Sequence, residues 1–413
     1  MSFLQDIIPP KGIVRVLCLS NLSKTSAHGI LMTVSVLFFT RAVDLPAAQV
    51  GLALTIGAAV GMAASIPAGR LADLLGPRNM TVVCLLLLGA FTCCYGFVQN
   101  FPGLVLVTSL ALAAESSTDA ARGALVAGLI PQKERVRAWS YMRAVSNLGV
   151  SLGAAGGAVA LYFDSRTSYT VMLVAGGVLF IAAGLAYLTV PQVPPVPRGT
   201  DGGPQWVVLR DVPYVFVALL NSVLIMNIGI LTVALPIWMT DETSAPTWLY
   251  SILIILNSVV VVLFQVRAGR GSEEVAGGAR ALRRSGVLLA VCCAFFAMAA
   301  GQPTWLAVVL LVVGALIHVG GEMFYSAGAW SLAYGLAPDH AQGQYQGMFG
   351  MSTQLGTVVT PALATALIAG LGWPGWLAFS ALLLAAGAAA PSVAAWAERT
   401  RLPAPSSVEE SVA

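Results

Sequence analysis

Apolar residues recur along this chain in long runs from Ile13 to Trp396, separated by short breaks that carry Pro, Gly and charge. A helix that crosses a bilayer needs roughly 20 mostly apolar residues, because hydrocarbon about 30 Å thick is climbed at about 1.5 Å per residue. Twelve segments meet that requirement: Ile13 to Phe39, Val50 to Ala68, Met80 to Val98, Leu104 to Leu129, Trp139 to Tyr162, Tyr169 to Thr189, Val212 to Trp238, Thr247 to Val266, Gly286 to Ala300, Trp305 to Ser331, Gly347 to Ala369 and Trp373 to Trp396. The ninth is short. The pattern predicts an all-α polytopic membrane protein of twelve transmembrane helices.

The breaks alternate in charge. RAVDLPAAQ (41 to 49), NFPG (100 to 103), FDSRTS (163 to 168) and MTDETSAP (239 to 246) hold only Arg41 and Arg166 as basic residues. The other breaks hold Arg70 and Arg78, then Lys133, Arg135 and Arg137, then Arg198 and Arg210, then Arg267, Arg270, Arg280, Arg283 and Arg284. Lys11 and Arg15 precede the first span, and Arg399 and Arg401 follow the last. Basic loops stay in the cytoplasm, so both termini are expected there and the protein in the cell membrane. The longest break, PQVPPVPRGTDGGPQW (191 to 206), is Pro- and Gly-rich and follows span six. It divides the chain into an N-terminal six-helix half (1–190), a cytoplasmic linker (191–211), a C-terminal six-helix half (212–398) and a flexible cytoplasmic tail (399–413). A faint repeat agrees: Gly69-Arg70 with Asp73 after span two is echoed by Gly269-Arg270 with Glu273 after span eight.

Composition removes other classes. The 413 residues are 58% hydrophobic and 9% charged, against about a quarter charged in soluble domains. The net charge of +3 then reports topology, not a nucleic-acid surface. The N-terminus lacks a cleavable signal pattern, so the first run is kept as a span. Cys18, Cys84, Cys93, Cys94, Cys292 and Cys293 fall inside spans without metal-ligand spacing and read as packing residues. No H-E-x-x-H and no Ser, His and Asp arrangement marks an enzyme, and neither cofactor nor metal is expected.

Residues Gly69-Arg70-Leu71-Ala72-Asp73-Leu74-Leu75-Gly76-Pro77-Arg78 resemble the signature loop between helices two and three of the major facilitator superfamily. In it Gly69 permits close helix contact, Gly76 a tight turn, and the charges of Asp73 and Arg78 stay at the membrane surface. The chain is also similar to the drug:proton antiporter branch through AARGALVAGLIPQKERVRAW (120 to 139), NLGVSLGAAGG (147 to 157), GGEMF (320 to 324) and LAPDHAQGQYQG (336 to 347). It departs from that branch where Val107, Thr108 and Ser109 replace a basic residue of helix four, and where Gly153-Ala154 replaces a Gly-Pro of helix five. The resemblance implies two pseudo-symmetric six-helix halves, with helices one, four, seven and ten around a central cavity. It also implies a rocking role for the stripe Gly149, Gly153 and Gly157.

Ionisable groups inside a membrane are costly and need a reason to be there. Well inside the spans they occur in only three: Lys24 and His28 in the first, Glu115, Asp119 and Arg122 in the fourth, His318 and Glu322 in the tenth. Residues four apart share a helix face, so Lys24 with His28, Glu115 with Asp119, and His318 with Glu322 are three facing pairs. Neighbouring, partly desolvated carboxylates resist being charged together, which suits a proton carrier. Glu115, Asp119, Glu322 and His318 are therefore the proton-coupling candidates. Lys24, His28, Arg122, Asn221, Asn227, Trp238, Tyr325 and Trp330 are the substrate-binding candidates, the three aromatics as a wall for a drug-like ligand. The plainer readings weigh equally. Asp119 and Arg122 also fit a structural ion pair, Lys24 a neutraliser of Glu115, and His318 a packing residue. Arg143 fits an interfacial anchor, Asn21, Asn221, Asn227, Asn257 and Gln354 interhelical hydrogen bonds, and the aromatics packing.

The expected function is secondary active transport: proton-coupled efflux of a small amphipathic compound, a drug or antibiotic, by alternating access. The alternative is a symporter importing a polar anionic or zwitterionic metabolite, which Lys24 and Arg122 favour. The expected partners are protons, a small-molecule substrate and the lipid bilayer, with the chain acting as a monomer.

Overall fold

The computed structural model describes residues 8–195 and 206–400; linker residues 196–205, with Arg198, and tail residues 401–413, with Arg401, lie outside the described residues. Twelve helices long and apolar enough to cross a membrane follow in order. They are α1 (Ile13–Ala42), α2 (Ala47–Leu75), α3 (Pro77–Phe97), α4 (Phe101–Leu129), α5 (Gln132–Phe163) and α6 (Arg166–Tyr187), then α7 (Val212–Asp241), α8 (Trp248–Ala268), α9 (Val275–Met298), α10 (Thr304–Gly335), α11 (Asp339–Leu371) and α12 (Trp373–Arg399). No strand occurs among the described residues.

Local chemistry starts and stops these helices where the breaks predict. Gly76 supplies the turn between α2 and α3 with φ 91°, a conformation that a side chain would strain. Asn100 caps α4 by accepting from the Gly103 N–H at 2.8 Å, and Ser165 with Ser168 forms a reciprocal capping box at α6. Asp164 ends α5 in the left-handed region and accepts from the Tyr169 hydroxyl and from Arg41 Nη1 at 3.0 Å. That clasp ties the far ends of α1, α5 and α6. The hydrogen bond from Tyr169, then the contact with Arg41, holds the Asp164 carboxyl below the usual carboxylate range.

Several helices outrun the hydropathy reading, α2 ending at Leu75 and α5 starting at Gln132 among them, and three differences have a visible cause. α9 is 24 residues long, beginning well before Gly286, because Gly277, Gly278, Ala279, Ala281 and Leu282 pack against neighbours while Arg280, Arg283 and Arg284 stay exposed. α11 begins before Gly347 because Gln342, Gln344 and Gln346 are buried in protein, with the Gln342 and Gln346 amides donating to carbonyl groups. α7 is interrupted: an α segment ends at Leu224, and a π turn, Ile230–Ala234, precedes the last segment, Leu235–Asp241. At the interruption the Asn227 amide donates to the Leu224 carbonyl at 2.6 Å, and the Asn227 carbonyl, which accepts the Ile230 N–H, also meets His318 Nε2 at 3.0 Å.

Buried apolar side chains form two clusters. One is built from α1 to α6 with Val266 and Tyr334 added, the other from α7 to α12 with Ile66 added. Small residues bring the helices together, since lipid offers no hydrophobic drive and packing must supply it. A Cβ on Gly153 would lie 2.0 Å from the Ser26 carbonyl oxygen, and one on Gly149 2.0 Å from Thr25 Oγ1, so the glycine stripe of α5 seats α1. The second half uses Gly356 of α11 against Ser222 and Ile225 of α7 in the same way.

The halves meet most tightly at the end where the basic loops gather. Gly69 of α2 and Gly343 of α11 are in backbone contact, a Cβ on either lying about 2 Å from the other's carbonyl oxygen. Asp73 is buried there and accepts from the Gly343 N–H at 2.6 Å and the Gln344 N–H at 3.1 Å. The surface placement expected for its charge is thus corrected: the first turn of α11 presents unpaired N–H groups, and the carboxylate turns inward to meet them. Arg78 is half-buried, with its Nε unpartnered. The echoed Gly269 faces Ser140 of α5 across the same divide. Both copies of the repeat therefore mark a crossing between halves.

Candidate functional site

Buried polar groups concentrate about halfway along the helices, where the two halves enclose a cavity of about 290 Å³. α4 and α5 bring Asp119, Arg122, Trp139 and Arg143 to its wall; α7 and α10 bring Asn227, Glu322, Tyr325 and Trp330. Trp139 and Trp330 stack at 3.7 Å between centroids and 8° between planes. Toward the basic end, the Trp139 Nε1–H donates to the Tyr334 hydroxyl at 2.8 Å, and that hydroxyl donates to the Gly123 carbonyl at 3.1 Å. Ser65 donates to the Gly347 carbonyl at 2.8 Å, and Gln354 of α11 donates to Ser116 of α4. With Asp73, these ties join the halves from the basic end to mid-depth. On the cavity wall the Asp119 side chain is 38% exposed, and that of His28, one turn further from the basic end, is 41% exposed.

Apart from Asp119 with Arg122, the ionisable residues pair across helices. On α1 and α4 two rungs form, Lys24 with Asp119 and His28 Nδ1 with Glu115 at 3.2 Å. The helices run antiparallel, so the two i,i+4 faces match in reverse order. Glu115 and Asp119 thus do not share one carboxylate site, as their spacing suggested, and Lys24 takes Asp119 in place of Glu115. Arg122 adds a second cation to Asp119 at 3.0 Å, donates to Asn21 Oδ1, and lies over the Trp139 ring at 5.1 Å. The expected Asp119–Arg122 pair is present within this larger network.

Glu322 is paired with Arg143 and accepts from the Asn257 amide at 2.9 Å. Arg143 belongs to α5 and Glu322 to α10, so this ion pair crosses between the halves. It corrects the reading of Arg143 as an interfacial anchor. The residue lies eleven positions into α5, about 16 Å along its axis, whereas the hydropathy span begins only four residues before it, at Trp139, which is why the sequence suggested an anchor. The Arg143 and Arg122 Nε atoms are buried without a partner.

Several other candidates fall elsewhere. Trp238 is 1% exposed, donates to the Phe296 carbonyl at 2.7 Å and packs edge-on against Trp376; its indole is core, because a buried N–H needs a partner that the α9 backbone provides. Asn221 donates to Ser352 and Thr353, both at 2.9 Å, and accepts from Tyr325 at 2.8 Å, which makes it a bridge between helices behind the wall. His318 is also behind the wall, against the interruption of α7, with Nδ1 unpartnered beside the carbonyl contact of Nε2. Tyr325, Trp330 and Asn227 line the cavity as expected. Trp139, Ser146, Ser326, Phe349 and Thr353 line it too and carried no signal in the chain, since aromatic and hydroxyl residues are ordinary in membrane helices.

Comparison with known proteins agrees with this architecture. A family model described as Major Facilitator Superfamily matches residues 17–351 and 226–413. The chain is 25% identical over 336 residues to the uncharacterized MFS-type transporter YqjV of Bacillus subtilis (strain 168), covering 79% of this chain and 78% of that protein. It is 29% identical over 217 residues to the synaptic vesicular amine transporter of Bos taurus, covering 51% of this chain and 41% of that protein. A bacterial homologue of the iron transporter ferroportin, solved in the outward-facing state with soaked iron, shares the fold with a TM-score of 0.72 at 16% identity, covering 94% of this chain and 100% of that one. Twelve membrane-length helices in two halves around a charged cavity, matched by the family model over most of the length, place this chain in the Major Facilitator Superfamily, as a multi-pass membrane transporter and not an enzyme.

Proposed function

We propose that the protein is a proton-coupled secondary active transporter that exports a small amphipathic compound, a drug or antibiotic, across the cytoplasmic membrane by alternating access. The observation that carries this reading is the Arg143–Glu322 pair, which ties α5 of one half to α10 of the other inside the cavity. Rocking of the halves strains that tie. A buried carboxylate parted from its cation is destabilised by about 3 to 5 kcal/mol while charged, and a proton removes the charge. Glu322 then holds Arg143, a proton, or the cationic end of a substrate, one at a time.

The charge count supports exchange. Lys24, Arg122 and Arg143 are balanced by Glu115, Asp119 and Glu322 when His28 and His318 are neutral. A site so balanced accommodates one added positive charge, a proton or a monovalent cation. Asp119, the most exposed of the three carboxylates, takes the proton first, and Glu115 with His28 forms a second station. Trp330, Trp139 and Tyr325 receive the apolar body of the substrate. The bovine relative is named as an amine transporter, which is in line with a cationic amphipathic cargo. By the positive-inside rule the basic end faces the cytoplasm, so the ties between the halves at that end close the cytoplasmic side. One chain builds the whole cavity, and a monomer suffices.

A susceptibility panel comparing cells with and without the protein identifies the cargo class. Transport of that compound into inside-out vesicles, driven by an acid interior, tests the mechanism. Glu115→Gln and Glu322→Gln are expected to fold and to lose pH-driven transport; wild-type rates in both refute the proposal. The second reading, symport of an anionic or zwitterionic metabolite, is favoured by Arg122 and Arg143, whose guanidinium groups both border the cavity. It predicts accumulation along the direction of proton flow.

A further inference from the structure

Away from the central cavity, α9 carries Arg280, Arg283 and Arg284 on an exposed face near the basic end. Arg283 and Arg284 border a groove of about 310 Å³ whose other walls are Val287 and Leu288 of α9 and Phe324 of α10. The Arg284 guanidinium lies over the Phe324 ring at 5.9 Å; a guanidinium carries five N–H donors, and a ring contact does not use them all. Among the described residues, no carboxylate forms an ion pair with any of the three arginines.

Depth makes this cluster unusual. Arg284 is fourteen residues before Met298 at the far end of α9, about 21 Å along the helix axis. With Met298 at the far boundary of hydrocarbon about 30 Å thick, the Arg284 Cα lies about 9 Å inside the near one. The long side chains of Arg283 and Arg284 reach back toward the headgroup level, where Arg280 stands one turn nearer the surface. Glu273 and Glu274 are exposed just beyond, before the helix starts, and keep an anion at the level of Arg283 and Arg284. A planar fork of donors above an apolar groove, on a face open to lipid, matches a phosphate joined to an acyl chain.

We infer that this α9–α10 groove binds an anionic phospholipid of the leaflet at the basic end, its phosphate on Arg283 and Arg284 and an acyl chain along Val287, Leu288 and Phe324. The site is separate from the transport cavity, and its occupancy does not depend on what is transported.

Native mass spectrometry of the purified full chain, titrated with phosphatidylglycerol, phosphatidylcholine or inorganic phosphate, tests this. Each arginine is expected to contribute about a fivefold preference for phosphatidylglycerol, lost in R283Q/R284Q and largely kept in R283K/R284K. The Lys11→Gln/Arg15→Gln variant, which removes equal charge elsewhere at the basic end, keeps it. R283Q alone gives the intermediate value if the double variant does not purify. Unchanged phosphatidylglycerol retention in R283Q, equal binding of the two lipids by the wild type, or an equal loss in the Lys11/Arg15 variant overturns the inference. Complete displacement of the lipid by millimolar inorganic phosphate does so as well, by marking a site for soluble anions.

Discussion

Replacing Gly343 by alanine is expected to open the basic end of the protein. A Cβ at 343 would lie 2.0 Å from the Gly69 carbonyl oxygen and 2.7 Å from Asp73 Oδ1, where ordinary contact begins at 3.4 Å. Clearing the carbonyl takes about 1.4 Å of separation between α2 and α11, since both obstacles are backbone or a held carboxylate. The Gly343 N–H to Asp73 hydrogen bond, now 2.6 Å, then stretches to about 4 Å, beyond bonding range. Asp73 cannot follow, because its own oxygen is one of the clashing atoms. Losing this bond and the one from Gln344 removes two charge-assisted interactions of about 1.5 to 3 kcal/mol each. Water recovers part of that in the opened form, but even a third of the total shifts the equilibrium by about tenfold. Spin labels on Leu75→Cys, 59% exposed, and His340→Cys, also exposed, report the gap by pulsed electron resonance. Wild type is expected to give one short distance, and Gly343→Ala a population at longer distance. Gly370→Ala, on the same helix with nothing within 4 Å of the added Cβ, leaves the distance unchanged. An unaltered distribution in Gly343→Ala would refute the closure assigned to this contact.

Other outcomes follow from the same geometry. Arg143→Gln leaves Glu322 buried without its cation and should lower thermal stability by about 3 to 5 kcal/mol, whereas Arg143→Gln with Glu322→Gln recovers much of it; equal losses in single and double variants would show that the pair is not coupled. Gly153→Ala places a Cβ 2.0 Å from the Ser26 carbonyl and is expected to reduce the folded yield in detergent, where Gly370→Ala is neutral or slightly stabilising; indistinguishable melting curves would remove the packing role. Asp164 has its carboxyl held low, so its clasp contributes stability above the ordinary aspartate pKa of about 4 and loses it as pH falls through the lowered value. The melting difference between wild type and Asp164→Asn should therefore be flat from pH 8 to about 5 and shrink only in stronger acid; a difference that fades near neutrality contradicts the assignment.

The membrane class, the helix count and the family were legible in the chain because each rests on local chemistry. Apolar runs such as Tyr169 to Thr189 have to be membrane helices whatever they pack against, since no other structure satisfies their backbone in lipid. The stretch from Gly69 to Arg78 likewise carries its turn glycine and its charges within ten residues. Charged positions inside spans one, four and ten were legible for the same reason, as departures from an otherwise apolar pattern.

What those charges do was decided only by the tertiary structure. A one-dimensional reading pairs residues along a helix, Glu115 with Asp119 and His318 with Glu322. In the folded chain α1 faces α4 and α5 faces α10, so the partners become His28, Lys24 and Arg143. Trp238 and Trp330 look alike as aromatic residues within apolar spans, but one points into the α9 backbone and the other into the cavity. Asp73 shows the limit most clearly. Its sequence neighbours place it at a membrane surface, while the unpaired N–H groups at the start of α11, some 270 residues away, draw it into the contact that closes the basic end. The burial of a helix in the membrane is set by its own residues. The partner of a buried charge is set by whichever helix lies opposite, and that follows only from the packing of all twelve.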